Sequence, residues 1–205
     1  MNESIYTFIQ EARSLGWVQW LSFVTGLLYI YFAAKNNPWC WPWGILSSGL
    51  WAYASWFQLH LLSDSILQLI YVVLGFWGWY SWYYRRQQTS LSITYSKAGS
   101  LVVYGLTSLI LSIVLGAIMR LTNAAFPMID AFLSVFSVTA TLLLVQQKIE
   151  NWWLWMVINL TSIPLFIIRG GWLFAILFLI YFCLSIAGWI AWRKTWLKGH
   201  TGTSL

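Results

Sequence analysis

The chain has 205 residues, of which 60% are hydrophobic and only 8% charged, with a formal net charge of +6. A water-soluble domain carries about 25% charged residues, so this chain has too few charges to cover a surface facing water. It is predicted to be solvated largely by lipid.

The first sixteen residues, MNESIYTFIQEARSLG, carry Glu3 and Glu11 ahead of Arg13. That order does not suit a positively charged secretory leader. Ile5, Phe8, Ile9, Ala12 and Leu15 repeat at helical spacing. Residues 1–16 therefore read either as an amphipathic helix on the membrane surface or as an extension of the first span.

Seven apolar runs of spanning length follow, at 17–34, 41–60, 66–84, 100–119, 129–146, 152–168 and 172–192. A crossing helix needs about 20 such residues. KNNP, SDS, RRQQTS, RLTN, QQKIEN and RGG punctuate them, and the longest break falls at 85–99. Cys40 and Cys183 lie far apart, outside any CxxC spacing, and read as ordinary buried thiols with no metal or redox role.

Seven crossings place the termini on opposite sides. Eight Lys/Arg fall on the C-terminal side and three, Arg13, Arg120 and Arg169, on the other. Basic residues stay in the cytoplasm, so the C-terminus is expected inside and the N-terminus outside. The charge then divides into −1 outside and +7 inside, and the basic balance reports topology and not nucleic-acid binding.

LIYVVLGFWGWYSW (69–82) and LIYFCLSIAGWIAW (179–192) share seven of fourteen residues at an offset of 110. They occupy the third and seventh runs, which cross in the same direction. CWPWGILS (40–47) faces WWLWMVIN (152–159), with Trp41 set on Trp153 and Trp43 on Trp155 at an offset of 112. The expected fold is an all-α integral membrane protein of seven transmembrane helices in a 3+1+3 parallel repeat. Residues 17–84 form the first bundle, 85–128 a loop and linker helix, 129–192 the second bundle and 193–205 a cytoplasmic tail. Parallel repeats of this kind often serve alternating access, with substrate bound at the seam between the halves.

Polar side chains at depth are the candidates for that seam. Gln68 and Tyr71 share one face of the third run, and Tyr181 repeats Tyr71. Trp152, Trp155 and Asn159 stack on one face of the sixth. Ser47 and Ser48 hold the matching place in the second, and Thr139 and Thr141 lie in the fifth. Each has a blander reading. The tryptophans near run ends, Trp39, Trp41, Trp43, Trp79, Trp82, Trp189 and Trp192, suit a headgroup-level belt, and on position alone so do Trp152 and Trp155. Gln68 and Asn159 suit interhelical hydrogen bonds, and Ser or Thr often bonds its own helix.

No Asp, Glu, Lys or Arg occupies the middle of any run. Ion-coupled carriers usually place an ionisable group there, so a uniporter is expected. The same pattern offers no carboxylate pair, HExxH or nucleophile–base pair, and no cofactor is expected. An integral membrane enzyme would have to use the isolated pair His60 and Asp64, which reads as a hydrated turn. A seven-helix receptor remains the third class, without a lysine in the last run for a retinal-type linkage. An aromatic, carboxylate-free seam suits a small flat cationic ring, which gains ~0.5–2 kcal/mol from each aromatic face it meets.

ENWWLWMVIN after DAFLSVFSVTATLLLVQQK, and LQLIYVVLGFWGWYSW after PWGI, resemble the PnuC family of bacterial nicotinamide riboside transporters. The likeness runs from Trp39 onward, apart from the loop between the third and fourth runs. It includes the pattern Glu150, Trp152, Trp155, Asn159. That family is similar in plan to the SWEET transporters. The resemblance implies facilitated diffusion of a vitamin precursor across the bacterial inner membrane, made one-way by a cytoplasmic kinase that phosphorylates the product. It also implies a homotrimer, and substrate contacts from Trp152, Trp155, Asn159, Gln68 and Tyr71. Ser47 departs from the Asn often found after the GI of the second span. Relatives carry thiamine or riboflavin, which stand as the alternative substrates.

Overall fold

The structure is a computed structural model that describes residues 3–88, 93–121 and 125–201. The first two residues of the expected interfacial segment lie outside the described residues, as do 89–92 of the long loop, 122–124 and 202–205 of the tail.

The described chain is helical: α1 Glu3–Ser14, α2 Trp17–Ala34, α3 Cys40–Tyr53, α4 Leu62–Gln88, α5 Ala98–Met119, α6 Pro127–Val145, α7 Glu150–Ile168 and α8 Trp172–Thr201. Six of these, all but α1 and α3, are long and apolar enough to cross a membrane. The run expected as one span at 41–60 is instead the 14-residue α3 followed directly by a five-residue π-helical turn, Ala54–Gln58. Leu59 N donates to Ala54 O at 2.9 Å, closing a ring one residue wider than an α turn.

The chain breaks between α1 and α2 at Gly16, whose backbone is extended. α1 packs instead against α8. The Glu11 carboxylate accepts from the amides of Trp172 (3.2 Å) and Leu173 (2.7 Å). These are among the amides at the start of a helix that have no intrahelical acceptor, and the carboxylate also complements the helix dipole.

α2, α3 and α4 pack in series, and so do α6, α7 and α8; α5 lies on α6, while α2 meets α8 and α4 meets α6 across the seam. α2 and α6 end alike. Asn36 and Gln147 both adopt positive φ (51° and 57°). Asn36 N donates to Ala33 O and Asn37 N to Phe32 O, while Gln147 N donates to Leu144 O and Lys148 N to Leu143 O. Each is the pair of closing bonds that finishes a helix on a left-handed residue.

A tryptophan cluster forms one end of the seam. Trp82 donates its indole N–H to Val145 O and Trp192 to Ala33 O, both at 2.9 Å. Each half's last helix is thus tied to the end of the other half's first. The Trp82 and Trp192 rings lie 6.2 Å apart. Trp41 meets Trp82 edge-on at 5.3 Å, and Trp152 meets Trp192 edge-on at 5.6 Å. Such pairs contribute about 0.5–1.5 kcal/mol each beyond the area they bury.

Trp41, Trp82 and Trp192 are 1%, 0% and 0% exposed and form the core, not the belt; Trp39 and Trp79 remain exposed. The partner of Trp41 in the second half is Trp152, not Trp153. A Cβ on Gly78 would stand 2.5 Å from the Trp41 ring, and one on Gly188 2.5 Å from the Trp152 ring. The offset is therefore 111 for this helix pair and 110 for α4 and α8. The first half carries one extra residue between its second and third helices, in the stretch where the π turn lies.

Candidate functional site

A cavity of about 1100 Å³ runs between the two triplets. It begins among the helix ends near His60, Asp64, Asp130 and Arg169, and it stops at Trp41 and Trp152. Among the described residues those four are the only Asp, Glu, Lys, Arg or His on its walls, and all lie at or beside helix ends. Deeper in, the described walls combine rings, hydroxyls and amides with aliphatic side chains such as Leu133, Leu144 and Ile158.

All seven sequence-predicted residues, Ser47, Gln68, Tyr71, Trp152, Trp155, Asn159 and Tyr181, line this one space. Their local roles differ. Asn159, 2% exposed, donates Nδ2 to Ser185 Oγ on α8 at 3.2 Å, and Ser185 in turn donates to Tyr181 O at 2.7 Å. The amide is thus both interhelical tie and cavity wall. Ser47 is knitted to α2: its hydroxyl donates to Ser22 O at 2.8 Å, and Ser22 returns a bond to Ser47 O at 2.9 Å. Its oxygen has less capacity left for a ligand.

Tyr71 reaches across the seam and donates to the Ser137 hydroxyl of α6. Tyr181, its repeat, reaches across to α2, where a Cβ on Gly26 would stand 3.1 Å from its hydroxyl and 3.1 Å from Ser47 Oγ. Gly26 and Ser137 are 111 residues apart. The two tyrosines therefore make the same crossing, and one meets a hydroxyl where the other meets a bare glycine. A close approach of this kind needs the missing Cβ.

Trp152 is 3% exposed and packs on the tryptophan cluster. Trp155, one turn on, is half-buried and lines the cavity. Position 44, the equivalent of Trp155, is glycine, and a Cβ there would lie 2.9 Å from the Tyr29 ring. Large and small residues are exchanged between the halves, so the two walls are not copies. Glu150, the first residue of the Glu-Trp-Trp-Asn pattern, is absent from the cavity wall. It accepts from Ser96 N at 2.8 Å and Ser96 Oγ at 3.3 Å, pinning the segment before α5 to the start of α7.

Sequence reasoning missed part of the wall. Asp64 is not a hydrated turn: its Oδ2 accepts from Trp51 Nε1 (2.8 Å) and Ser55 Oγ (2.5 Å). Phe23, Trp51 and Phe174 form a ring cluster beside it, with centroids 5.4–5.9 Å apart. Asp130 is held by Arg169 at 2.7 and 2.8 Å. Among the described residues no group of three or more His, Cys, Asp and Glu is placed to hold a metal.

A solved structure shares this fold, and several known proteins are similar in sequence. The crystal structure of the vitamin B3 transporter PnuC superposes with a TM-score of 0.74 at 24% identity, over 95% of this chain and 87% of that one. The nicotinamide riboside transporter PnuC of Neisseria mucosa is 28% identical over 91% of this chain and 75% of its own length. The PnuC of Escherichia coli K12 is 24% identical over 87% and 85%. The riboflavin/roseoflavin transporter RibM of Streptomyces davaonensis is 22% identical over 94% and 91%. Residues 16–194 match the family described as nicotinamide mononucleotide transporters, and the chain belongs to that family of multi-pass membrane transporters.

Proposed function

We propose that the chain is a uniporter for nicotinamide riboside. The observation that carries this reading is the deep cavity wall, which holds aromatic rings and, among the described residues, no Asp, Glu, Lys, Arg or His. A pyridinium ring can stack on Trp152 or Trp155, and its ribose hydroxyls and carboxamide have Asn159, Gln68 and the tyrosine hydroxyls to pair with. The mononucleotide adds a phosphate, for which the deep wall offers no cation; Arg169 at the mouth is already engaged by Asp130. Desolvating such an anion without a partner is costly. The nucleoside therefore fits better than the nucleotide in the family's description.

In this reading α3 with its π turn is the second of seven crossings, and the helices form a 3+1+3 parallel repeat with α5 as linker. The N-terminus is outside and the C-terminus in the cytoplasm, from the Lys/Arg asymmetry. The setting is the bacterial inner membrane. The protein carries its ligand without chemistry and needs no coupling ion. A cytoplasmic kinase makes uptake one-way, because the phosphorylated product no longer suits the uncharged passage. The homotrimer implied by the family resemblance is part of the same proposal.

Calorimetric titration of the purified protein with nicotinamide riboside, nicotinamide mononucleotide, thiamine and riboflavin tests the substrate. Saturable binding of the riboside, at least about tenfold tighter than the mononucleotide, is expected from the missing phosphate partner. Tighter binding of the mononucleotide, thiamine or riboflavin would replace this substrate.

A further inference from the structure

We propose that Asp64 and the rings beside it form a cation-selecting subsite at the open end of the cavity. It takes the charged ring of a ligand before that ring reaches Trp155 and Asn159. The inference deepens the transporter reading and uses its substrate as a probe.

Asp64 stands in the first turn of α4 and is half-buried on the cavity wall. The amides at that helix start favour an anion. Among the described residues its two hydrogen-bond partners, Trp51 Nε1 and Ser55 Oγ, are neutral and meet the same oxygen, Oδ2. Ser55 is fully buried in the π turn, so this donor is held by the backbone irregularity itself. The carboxylate is therefore fixed in place while its charge is left to be balanced from the cavity. The other carboxylate on the wall, Asp130, differs: Arg169 pairs with both of its oxygens.

The walls around Asp64 are aromatic. Phe23 stacks on Trp51 at 5.4 Å, and Phe174 meets both edge-on at 5.9 Å. All three line the cavity. The offset of 110 that relates Tyr71 to Tyr181 also relates Asp64 to Phe174. One half thus supplies a carboxylate where the other supplies a ring. A carboxylate combined with π faces selects a delocalised cation over a neutral ring of the same shape.

The test is calorimetric titration of the full chain and its Asp64→Asn variant with nicotinamide riboside and with its neutral 1,4-dihydro form. The amide keeps an oxygen for Trp51 and Ser55, and thermal unfolding of both proteins checks that the fold is retained. The variant is expected to bind the cation about tenfold more weakly, with the neutral form changed by less than about twofold. Equal loss for both forms, or no loss, overturns the subsite and leaves the substrate assignment standing. If the wild type does not bind nicotinamide riboside, that assignment fails, and thiamine, a cation of different shape, is titrated instead. Thiamine binding that weakens in Asp64→Asn supports the subsite. Absence of thiamine binding, or binding indifferent to the substitution, overturns it.

Discussion

Gln147 Nε2 donates to Asn36 Oδ1 at 2.8 Å, and the two residues stand 111 positions apart in the chain. Each is the left-handed residue that ends the first helix of its triplet. Equivalent positions that touch one another must lie close to the axis relating the two halves, as in a self-complementary dimer interface. The Trp82 and Trp192 indoles, bonded to opposite halves, flank the same axis. This end of the seam is where the halves are laced together, and the cavity stops against it at Trp41 and Trp152.

The lacing depends on two glycines. Gly78→Ala or Gly188→Ala would drive a methyl to within 2.5 Å of a fully packed indole. Overpacking of this kind costs about 1–3 kcal/mol, and each variant is expected to melt several degrees below wild type in detergent. Gly105→Ala, with nothing within 4 Å of its added carbon, should melt at or above the wild-type temperature.

Ligand contact and packing can be separated at α7. Trp155 is half-buried on the cavity wall, whereas Trp152 belongs to the tryptophan core. Trp155→Ala is expected to weaken nicotinamide riboside by about tenfold or more with little change in melting, since a stacked ring contributes about 1–2 kcal/mol. Trp152→Ala should lower both affinity and melting temperature. Paired titrations and melts would show whether the two effects separate.

The docking of α1 rests on one carboxylate. Glu11→Ala removes the acceptor for two amides at the start of α8. Loss of about 1 kcal/mol is expected, in the range of a lost helix cap. Limited proteolysis should then cut between α1 and α2, near Gly16, sooner than in wild type; unchanged cleavage would count against this role.

The proposed topology rests on the asymmetry of the basic residues. In a Cys183→Ser background, Ser14→Cys should react with a membrane-impermeant maleimide on intact cells, and Lys198→Cys only after permeabilisation. Cys40, fully buried, should stay silent in both. Labelling of both sites from one side would contradict the proposed seven crossings.

Much of this was legible in the residues. Apolar runs fixed by lipid thickness gave most helix ends to within four positions, but α3 stops at Tyr53, short of 60, and α8 runs on to Thr201, through the start of the expected tail; Tyr71/Tyr181 and Trp82/Trp192 carried the repeat plainly. The cavity wall was legible wherever an amide or tyrosine had no reason to face lipid, as at Gln68, Tyr71 and Asn159. Tryptophan was the difficulty. An indole suits a headgroup belt, a dry core or a ligand wall equally well, so Trp41, Trp82 and Trp192 could not be sorted without their neighbours. The one-residue register error at Trp41 arose because Trp152 and Trp153 are adjacent and identical; Gly188 decides between them only in three dimensions. Asp64 was misread because its donors, Trp51 and Ser55, come from a neighbouring helix and a π turn that no periodicity announces.

Uniport is tested most directly by purified protein in sealed liposomes with labelled nicotinamide riboside. Internal label should rise until it equals the external concentration, with the same plateau whether or not a proton or sodium gradient is imposed, and unlabelled riboside inside should drive transient counterflow. Accumulation above the external concentration when a gradient is present would contradict a passage without a coupling ion.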